Sequence, residues 1–357
     1  MPITATEQTS RHRAVATWLL VCCAAIFVMV VLGGVTRLTK SGLSMVEWQL
    51  STLLPPLDDL QWRDVFEKYQ RFPEYQLRNK GMTLEEFKGI FWLEYVHRLW
   101  GRGIGVLFFV PFVYFVVRGW VDRLLGTKLF LIFLVGGLQG GVGWFMVKSG
   151  LVDHPEVSQY RLTAHLALAV ILYGAILWVA MGLLAPRNRF HDLSPALRGM
   201  VLGIGGLVAL TFVTMLSGAL VAGLKAGLGF NTFPLMNGQF LPDGALSMTP
   251  VVLNFFENHA TVQFDHRILA EVTGLVILLL WLTKRRSVPT GRGRLALHAL
   301  GGMAVVQLAL GISTLLLMVP VALAATHQAG ALVLLTLGLW LLHEMMGLPP
   351  STPGWRE

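Results

Sequence analysis

The sequence predicts an all-α polytopic membrane protein, with eight transmembrane helices arranged as two pseudo-symmetric four-helix bundles. Three observations predict this fold class. Of 357 residues, 54% are hydrophobic and 13% are charged, against about 25% charged in an ordinary soluble domain. Several apolar runs reach about 18 residues or more, the length that crosses the hydrocarbon core of a bilayer. The same polar residues then recur at matching positions in the two halves of the chain. The net charge of +8 does not indicate nucleic acid, because the basic residues sit in short connections between apolar runs, where topology signals belong.

The expected spans are 17–35, 92–117, 127–147, 162–184, 199–221, 264–282, 295–319 and 322–346. The first follows a polar tail, 1–14, carrying Arg11 and Arg13. No small-residue cleavage site follows it, so it reads as an uncleaved helix. The two cysteines, Cys22 and Cys23, are neighbours inside this run and read as small apolar fillers. After the first span comes a long connection, 36–91, whose basic residues are offset by acids. Its stretch from Asp58 to Phe91 reads as an amphipathic helix broken at Pro73 and Gly81, lying on the outer membrane surface.

Orientation follows from Lys and Arg. The connection 118–128 carries Arg118, Arg123 and Lys128, and 185–198 carries Arg187, Arg189 and Arg198. The connection 283–294 carries Lys284, Arg285, Arg286, Arg292 and Arg294. These connections and the N-terminus fall on one side, which is therefore cytoplasmic. Both termini are expected there, including the tail 347–357, and 36–91, 148–161 and 222–263 are expected outside. No long, Arg-rich and acid-poor transit segment is seen, so a bacterial inner membrane is expected.

The repeat divides the chain into 15–190 and 191–346. Aligning His97 with His266 brings Arg98 onto Arg267 and Gly105 onto Gly274. Aligning His165 with His327 brings Ala167 onto Ala329, Ala169 onto Ala331 and Leu172 onto Leu334. Between them, Gln139 with Gly143 matches Gln307 with Gly311. Two four-helix bundles related by an axis along the membrane normal would follow, as in parallel transporter repeats.

Four of the ten histidines belong to this pattern. His97, His165, His266 and His327 each begin an even-numbered span, so all four lie at similar depth near the outer face. Ionisable residues in such places are costly and default to function. Two per bundle suggest one metal centre per bundle, His97 with His165 and His266 with His327. Imidazole nitrogens from facing helices suit the iron of a heme. Zinc wants three or four protein ligands, and no third His or Cys joins either pair. His12, His154, His191, His259, His298 and His343 lie outside the pattern. Of these, His154 and His259 share the outer side with the four.

The halves differ three residues before the histidine. Glu94 precedes His97 there and Gln263 precedes His266, on the same helix face. An amide cannot exchange a proton at neutral pH. A symmetric electron carrier has no need of that difference, whereas an enzyme with one reactive and one relay site does, with Glu94 shuttling protons. The plainer reading pairs Glu94 with Arg98. Arg98 and Arg267 could grip heme propionates by a bidentate fork. The glycine runs 136–143 and 202–206 would let a flat macrocycle approach, or would serve helix packing.

The motifs Glu94-Tyr95-Val96-His97-Arg98 and Gln263-Phe264-Asp265-His266-Arg267, with GGVTRLTKSGLSM from Gly33, WFMVKSGL from Trp144 and GFNTFPLMNGQFLP from Gly229, resemble the heme A synthase family. The resemblance covers about residues 15–346. Its proteobacterial and mitochondrial branch is the nearer, since the Gram-positive branch carries a cysteine pair in the first outer loop and 36–91 holds none. The resemblance implies an oxidoreductase that takes heme O from heme O synthase and oxidises its C8 methyl to a formyl group. Water would supply the oxygen, and the product would be heme A for cytochrome c oxidase. It implies a resident heme b on His266 and His327, substrate heme on His97 and His165, and catalysis by Glu94. Homo-oligomerisation and the electron acceptor stay open. The rivals are a di-heme b cytochrome relaying electrons from quinol, which fits the histidines alone equally well, and a transporter, which should show unwound helices and charge at mid-membrane.

Overall fold

Every regular element that the computed structural model describes is a helix, in residues 4–47, 54–151, 155–185, 187–288 and 291–348. In chain order these are α1 (Ala5–Leu38), α2 (Asp59–Gln70), α3 (Pro73–Leu77), α4 (Leu84–Val117), α5 (Arg123–Ser149), α6 (Gln159–Leu184), α7 (Pro195–Leu224), α8 (Asn254–Glu257), α9 (His259–Lys284), α10 (Arg292–Leu316) and α11 (Val321–Met346), with short 3₁₀ turns between some of them. Among the described residues eight are long and apolar enough to cross a membrane, namely α1, α4–α7 and α9–α11. They match the eight expected spans one for one.

The boundaries differ where local signals lie outside the apolar run. α4 begins at Leu84 rather than near 92. Thr83 caps it in a reciprocal box, its hydroxyl accepting from Glu86 N while the Glu86 carboxylate accepts from Thr83 N at 2.8 Å. Such a box fixes a helix start wherever it falls. The added turns are held by an aromatic cluster of buried Trp62, Tyr69, Phe87, Phe91 and Tyr95, with Trp62 and Phe91 edge to face at 5.0 Å. The cluster seats α2 on α4. The helical segment between α1 and α4 breaks where Pro73 starts α3 and where Gly81 takes φ +90.

The chain forms two compact units, one of Ala25–Ala169 and one of Met1–Ala24 with Val170–Glu357. In the second, α10 packs on α11, α11 on α7, α7 on α9 and α9 on α10, closing a ring of four helices. Buried Leu197, Ile204, Ile277, Leu297, Leu300 and Leu341 fill one end of it. In lipid such packing rests on close contact rather than on water exclusion. In the first unit the Trp100 indole donates to the Ala25 carbonyl at 2.9 Å, tying α4 to α1.

The repeat is visible in the backbone. Lys40 and Lys225 both take left-handed φ values, 55° and 57°, a region that non-glycine residues seldom adopt. Each follows a glycine, Gly33 or Gly218, by the same interval, and each turns the chain out of its helix into the connection that follows.

Candidate functional site

Each of the four repeat histidines lies against a glycine of a neighbouring helix. A Cβ on Gly33 would stand 3.4 Å from Nε2 of His97, and one on Gly143 would stand 2.8 Å from Cε1 of His165. In the other unit, a Cβ on Gly218 would stand 3.0 Å from Cε1 of His266, and one on Gly311 would stand 2.9 Å from Cε1 of His327. A Cβ at Gly143 or Gly311 would force the imidazole to shift, and one at Gly218 would crowd it. In the glycine run 136–143, Gly143 is the one that meets His165 among those whose surroundings are described. Gly137, Gly140 and Gly141 have open space, as do Gly203, Gly205 and Gly206. Gly105 and Gly274 do not share surroundings either, since only Gly274 abuts a neighbour, Leu308.

His266 and His327 face each other with ring centroids 6.5 Å apart and planes at 82°. One iron between two imidazole nitrogens, each bonded at about 2 Å, requires a centroid separation of roughly 6 Å. The pair therefore fits a bis-histidine heme. The Ser217 hydroxyl donates to Thr214 O at 2.8 Å, so its oxygen is left to accept from Nδ1 of His266 at 2.9 Å. Thr214 also makes a main-chain hydrogen bond with His266. These acceptors hold the proton on Nδ1 and turn the Nε2 lone pair outward for a metal. His327 is held by one residue, Gln307, with a mixed set of partners. Its Nδ1 lies 3.1 Å from the Gln307 amide nitrogen, which can only donate, while the Gln307 main-chain carbonyl can accept from the ring and Gln307 Nε2 donates to the His327 carbonyl at 2.9 Å.

His97 and His165 share the other unit but lack these anchors. Gln139 Nε2 donates to the His165 carbonyl at 3.1 Å, repeating Gln307. Yet among the described residues Nδ1 of His165 is buried without a partner, and the His97 imidazole makes no hydrogen bond. Leu32 stands where the other half has Ser217. Among the described residues no group of three or more His, Cys, Asp and Glu converges.

Glu94 is buried at 2% exposure. Ser44 Oγ and Met45 N both donate to its Oε2 at 2.7 Å, and Arg98 donates to Oε1. Arg98 also donates to Met45 O at 2.8 Å and to Glu47 O at 3.3 Å. Gln263 and Arg267 occupy the same places in the second half but pair differently. Gln263 Nε2 donates to Phe230 O at 3.0 Å, while Arg267 donates to Phe230 O and to Thr232 O. Phe230 and Thr232 are the repeat equivalents of Met45 and Glu47. Both arginines therefore clamp the outgoing loop by the same two carbonyls. Gln263 Oε1 and Arg267 Nε stay buried without partners.

A second buried acid among the described residues, Glu74, lies in α3 of the Glu94 unit. Tyr69 donates to it at 3.1 Å and Asn79 Nδ2 donates to Tyr69 at 2.7 Å. Burial pushes the Glu74 carboxyl up to about 7, the charge of Glu94 adds to the rise, and Tyr69, Arg78 and Lys40 oppose it.

The remaining histidines take ordinary places. His298 accepts from the Trp281 indole at 2.9 Å, His343 packs edge-on to Trp178, and His191 is exposed beside Asp192. His259 is exposed and His12 half-buried. His154 lies outside the described residues. Ser217, Ser44, Gly33 and Gly218 were not expected. The two glycines had a signal, the recurrence of Gly-x₆-Lys-x-Gly-Leu from Gly33 and from Gly218, whereas the two serines lie outside it and had none.

A family model for cytochrome oxidase assembly proteins, COX15-CtaA, matches residues 16–339. The chain belongs to this family. Its COX15-CtaA relatives include the Heme A synthase of Nitrosospira multiformis, 54% identical over 97% of this chain and 97% of that one. The Heme A synthase of Paramagnetospirillum magneticum is 53% identical over 94% of each. Heme A synthase COX15 of Mus musculus is 46% identical over 95% of this chain and 83% of its own. The resemblance read from the motifs is thereby confirmed, for bacterial and mitochondrial-type members alike.

Proposed function

We propose that this chain is a heme A synthase that oxidises the C8 methyl of heme O to a formyl group and so makes heme A for cytochrome c oxidase. With water as oxygen source the balance is one methyl and one water giving one formyl, four protons and four electrons. The observation that carries the division of labour is the difference in imidazole anchoring. His266 and His327 have fixed Nδ1 atoms, as permanent ligands need, and are assigned to a resident heme b. His97 and His165 have unanchored Nδ1 atoms, which suits a heme that must enter and leave, and are assigned to the substrate. Bound at its pair, heme b would supply one-electron chemistry and pass the electrons to an acceptor outside the chain.

Glu94 is the acid–base group in this reading. It lies one helical turn from His97 with both oxygens held by donors, positioned to take protons as the methyl is oxidised. Arg98 acts first by holding the loop and Glu94 in place. Arg267 presents its remaining Nε to a propionate of the resident heme. The bundles 15–190 and 191–346 are the substrate and electron-transfer halves. The chain resides in the inner membrane with both ends in the cytoplasm and receives heme O from heme O synthase.

Extraction and chromatography of the hemes that copurify with the protein test this reading. Wild type should hold heme b together with heme O, heme A or a partly oxidised form. His266→Ala and His327→Ala should each lose heme b, while His97→Ala and His165→Ala should keep it and lose the farnesylated hemes. Two equivalents of heme b alone would instead establish the relay cytochrome.

A further inference from the structure

A cavity of about 170 Å³ lies on the outer side of the His97 and His165 pair. It is lined by Met45, Val46, Arg98, Trp144, Val147, Lys148 and Leu151. Its walls carry two cations and no acid. Arg98 directly follows His97 and is neutralised by Glu94. Lys148 is in the last turn of α5, the helix whose Gly143 lies under His165. Its ammonium stands 5.2 Å from the Trp144 ring and makes no hydrogen bond or ion pair among the described residues. Among the described residues no acid offsets this charge at the cavity, where Lys148 is exposed. The volume is below the roughly 300 Å³ of a drug-sized ligand site, so it admits a small anionic group and not a macrocycle.

The repeat shows that this charge is specific to one half. Gly143 and Gly311 make the same contact with His165 and His327, and counting forward equally from each brings Lys148 onto Leu316. The anchored pair has no lysine at that place.

We propose that Lys148, with Arg98 behind it, forms a carboxylate site that takes one propionate of the heme held by His97 and His165, and that it orients the substrate ring. This rests on the assignment of the substrate to that pair. The trajectory is short, since Arg98 and Gly143 tie the cavity to both ligands. An ammonium–carboxylate contact also gives a cargo heme a hold that does not depend on imidazole anchoring. Charge-assisted hydrogen bonds are among the stronger neutral-pH contacts.

The test is a Soret titration of purified protein retaining its resident heme, at low salt. The probes are ferric protoporphyrin IX and its dimethyl ester, which lacks both carboxylates. Wild type should bind the diacid about tenfold more tightly than the diester, from the usual worth of a hydrogen bond to a charged group. Lys148→Met, which keeps the apolar stem over Trp144, should weaken the diacid about tenfold, leave the diester unchanged and abolish the preference. Lys148→Arg should restore it. An unchanged diacid preference in Lys148→Met, or an equal loss for both probes, overturns the proposal. His97→Ala separates the two levels of inference. If it leaves probe binding intact, the assignment of the substrate to this pair fails. If it abolishes binding while Lys148→Met has no effect, only the carboxylate site fails.

Discussion

The hydroxyl of Ser217 fixes the tautomer of His266, because its own proton is committed to Thr214 O and its oxygen can only accept. Ser217→Ala removes that acceptor and leaves the main-chain contact with Thr214. Partners of this kind typically change metal affinity about 10–100-fold. Transfer of heme b from the purified variant to an excess of a soluble heme-binding apoprotein should accelerate about tenfold, with the low-spin spectrum retained at the start. An unchanged transfer rate would remove Ser217 from the design of the site.

Glu94→Gln exchanges an acceptor for a group that is half donor. Met45 N can only donate, so the amide oxygen must take the place shared by Met45 N and Ser44 Oγ, and the amide nitrogen must face Arg98. Resident heme b should be retained, because His266 and His327 are untouched. Heme A per molecule should fall by about 10²–10⁴-fold, the usual contribution of an acid–base group, with heme O or an intermediate accumulating. Glu94→Asp keeps the charge and should recover part of the output. Normal heme A from Glu94→Gln would leave the loop clamp as the residue's whole purpose.

The raised carboxyl of Glu74 makes the outer segment sensitive to pH. Its neutral form is the one that the fold favours, so the packing of α2 and α3 is firmest at and below the ordinary glutamate range. It weakens as pH rises from about 4.5 to about 7, and then levels off. A displacement of that size corresponds to roughly 3 kcal/mol. Hydrogen exchange of Asp59–Leu77 across this window should show the loss in wild type and a flat profile in Glu74→Gln, which keeps a partner for Tyr69. Identical profiles would contradict the assignment of a buried neutral acid.

Single cysteines can be placed in a Cys22→Ser, Cys23→Ser background. An impermeant thiol reagent applied from the periplasmic side should label positions within 222–258 and spare 284–288. The opposite pattern would invert the topology, and with it the placing of all four histidines near the outer face.

The eight spans were legible because length and apolarity alone decide what crosses a bilayer. The histidine repeat was legible because imidazoles are rare there and recur with Arg98 and Arg267. The start of α4 was not, since a capping box and an aromatic cluster in a polar connection set it rather than hydropathy. The contrast of Glu94 with Gln263 was visible as a difference in proton chemistry. The structure adds a geometric side, because the two residues meet opposite main-chain partners, an N–H of Met45 and a carbonyl of Phe230. Only the folded loops could supply that. The anchoring of His266 by Ser217 was hidden for another reason, as one serine in an apolar helix is unremarkable until its neighbour across the bundle is known.

The glycines beneath the imidazoles imply something about how such a centre varies. Where a ligand ring rests on bare backbone, the separation and roll of two helices set its position together with the polar side chains that hold its Nδ1. The quantity to be tuned is then in part mechanical. A small tilt of α10 against α11, or of α7 against α9, rotates His327 or His266 directly, and changes far along those helices can reach the iron position without altering a residue near it. Comparative mutagenesis confined to the lining of the centre would overlook this class of variant, whereas substitutions at distant helix contacts should reveal it as shifts in ligand-field spectra.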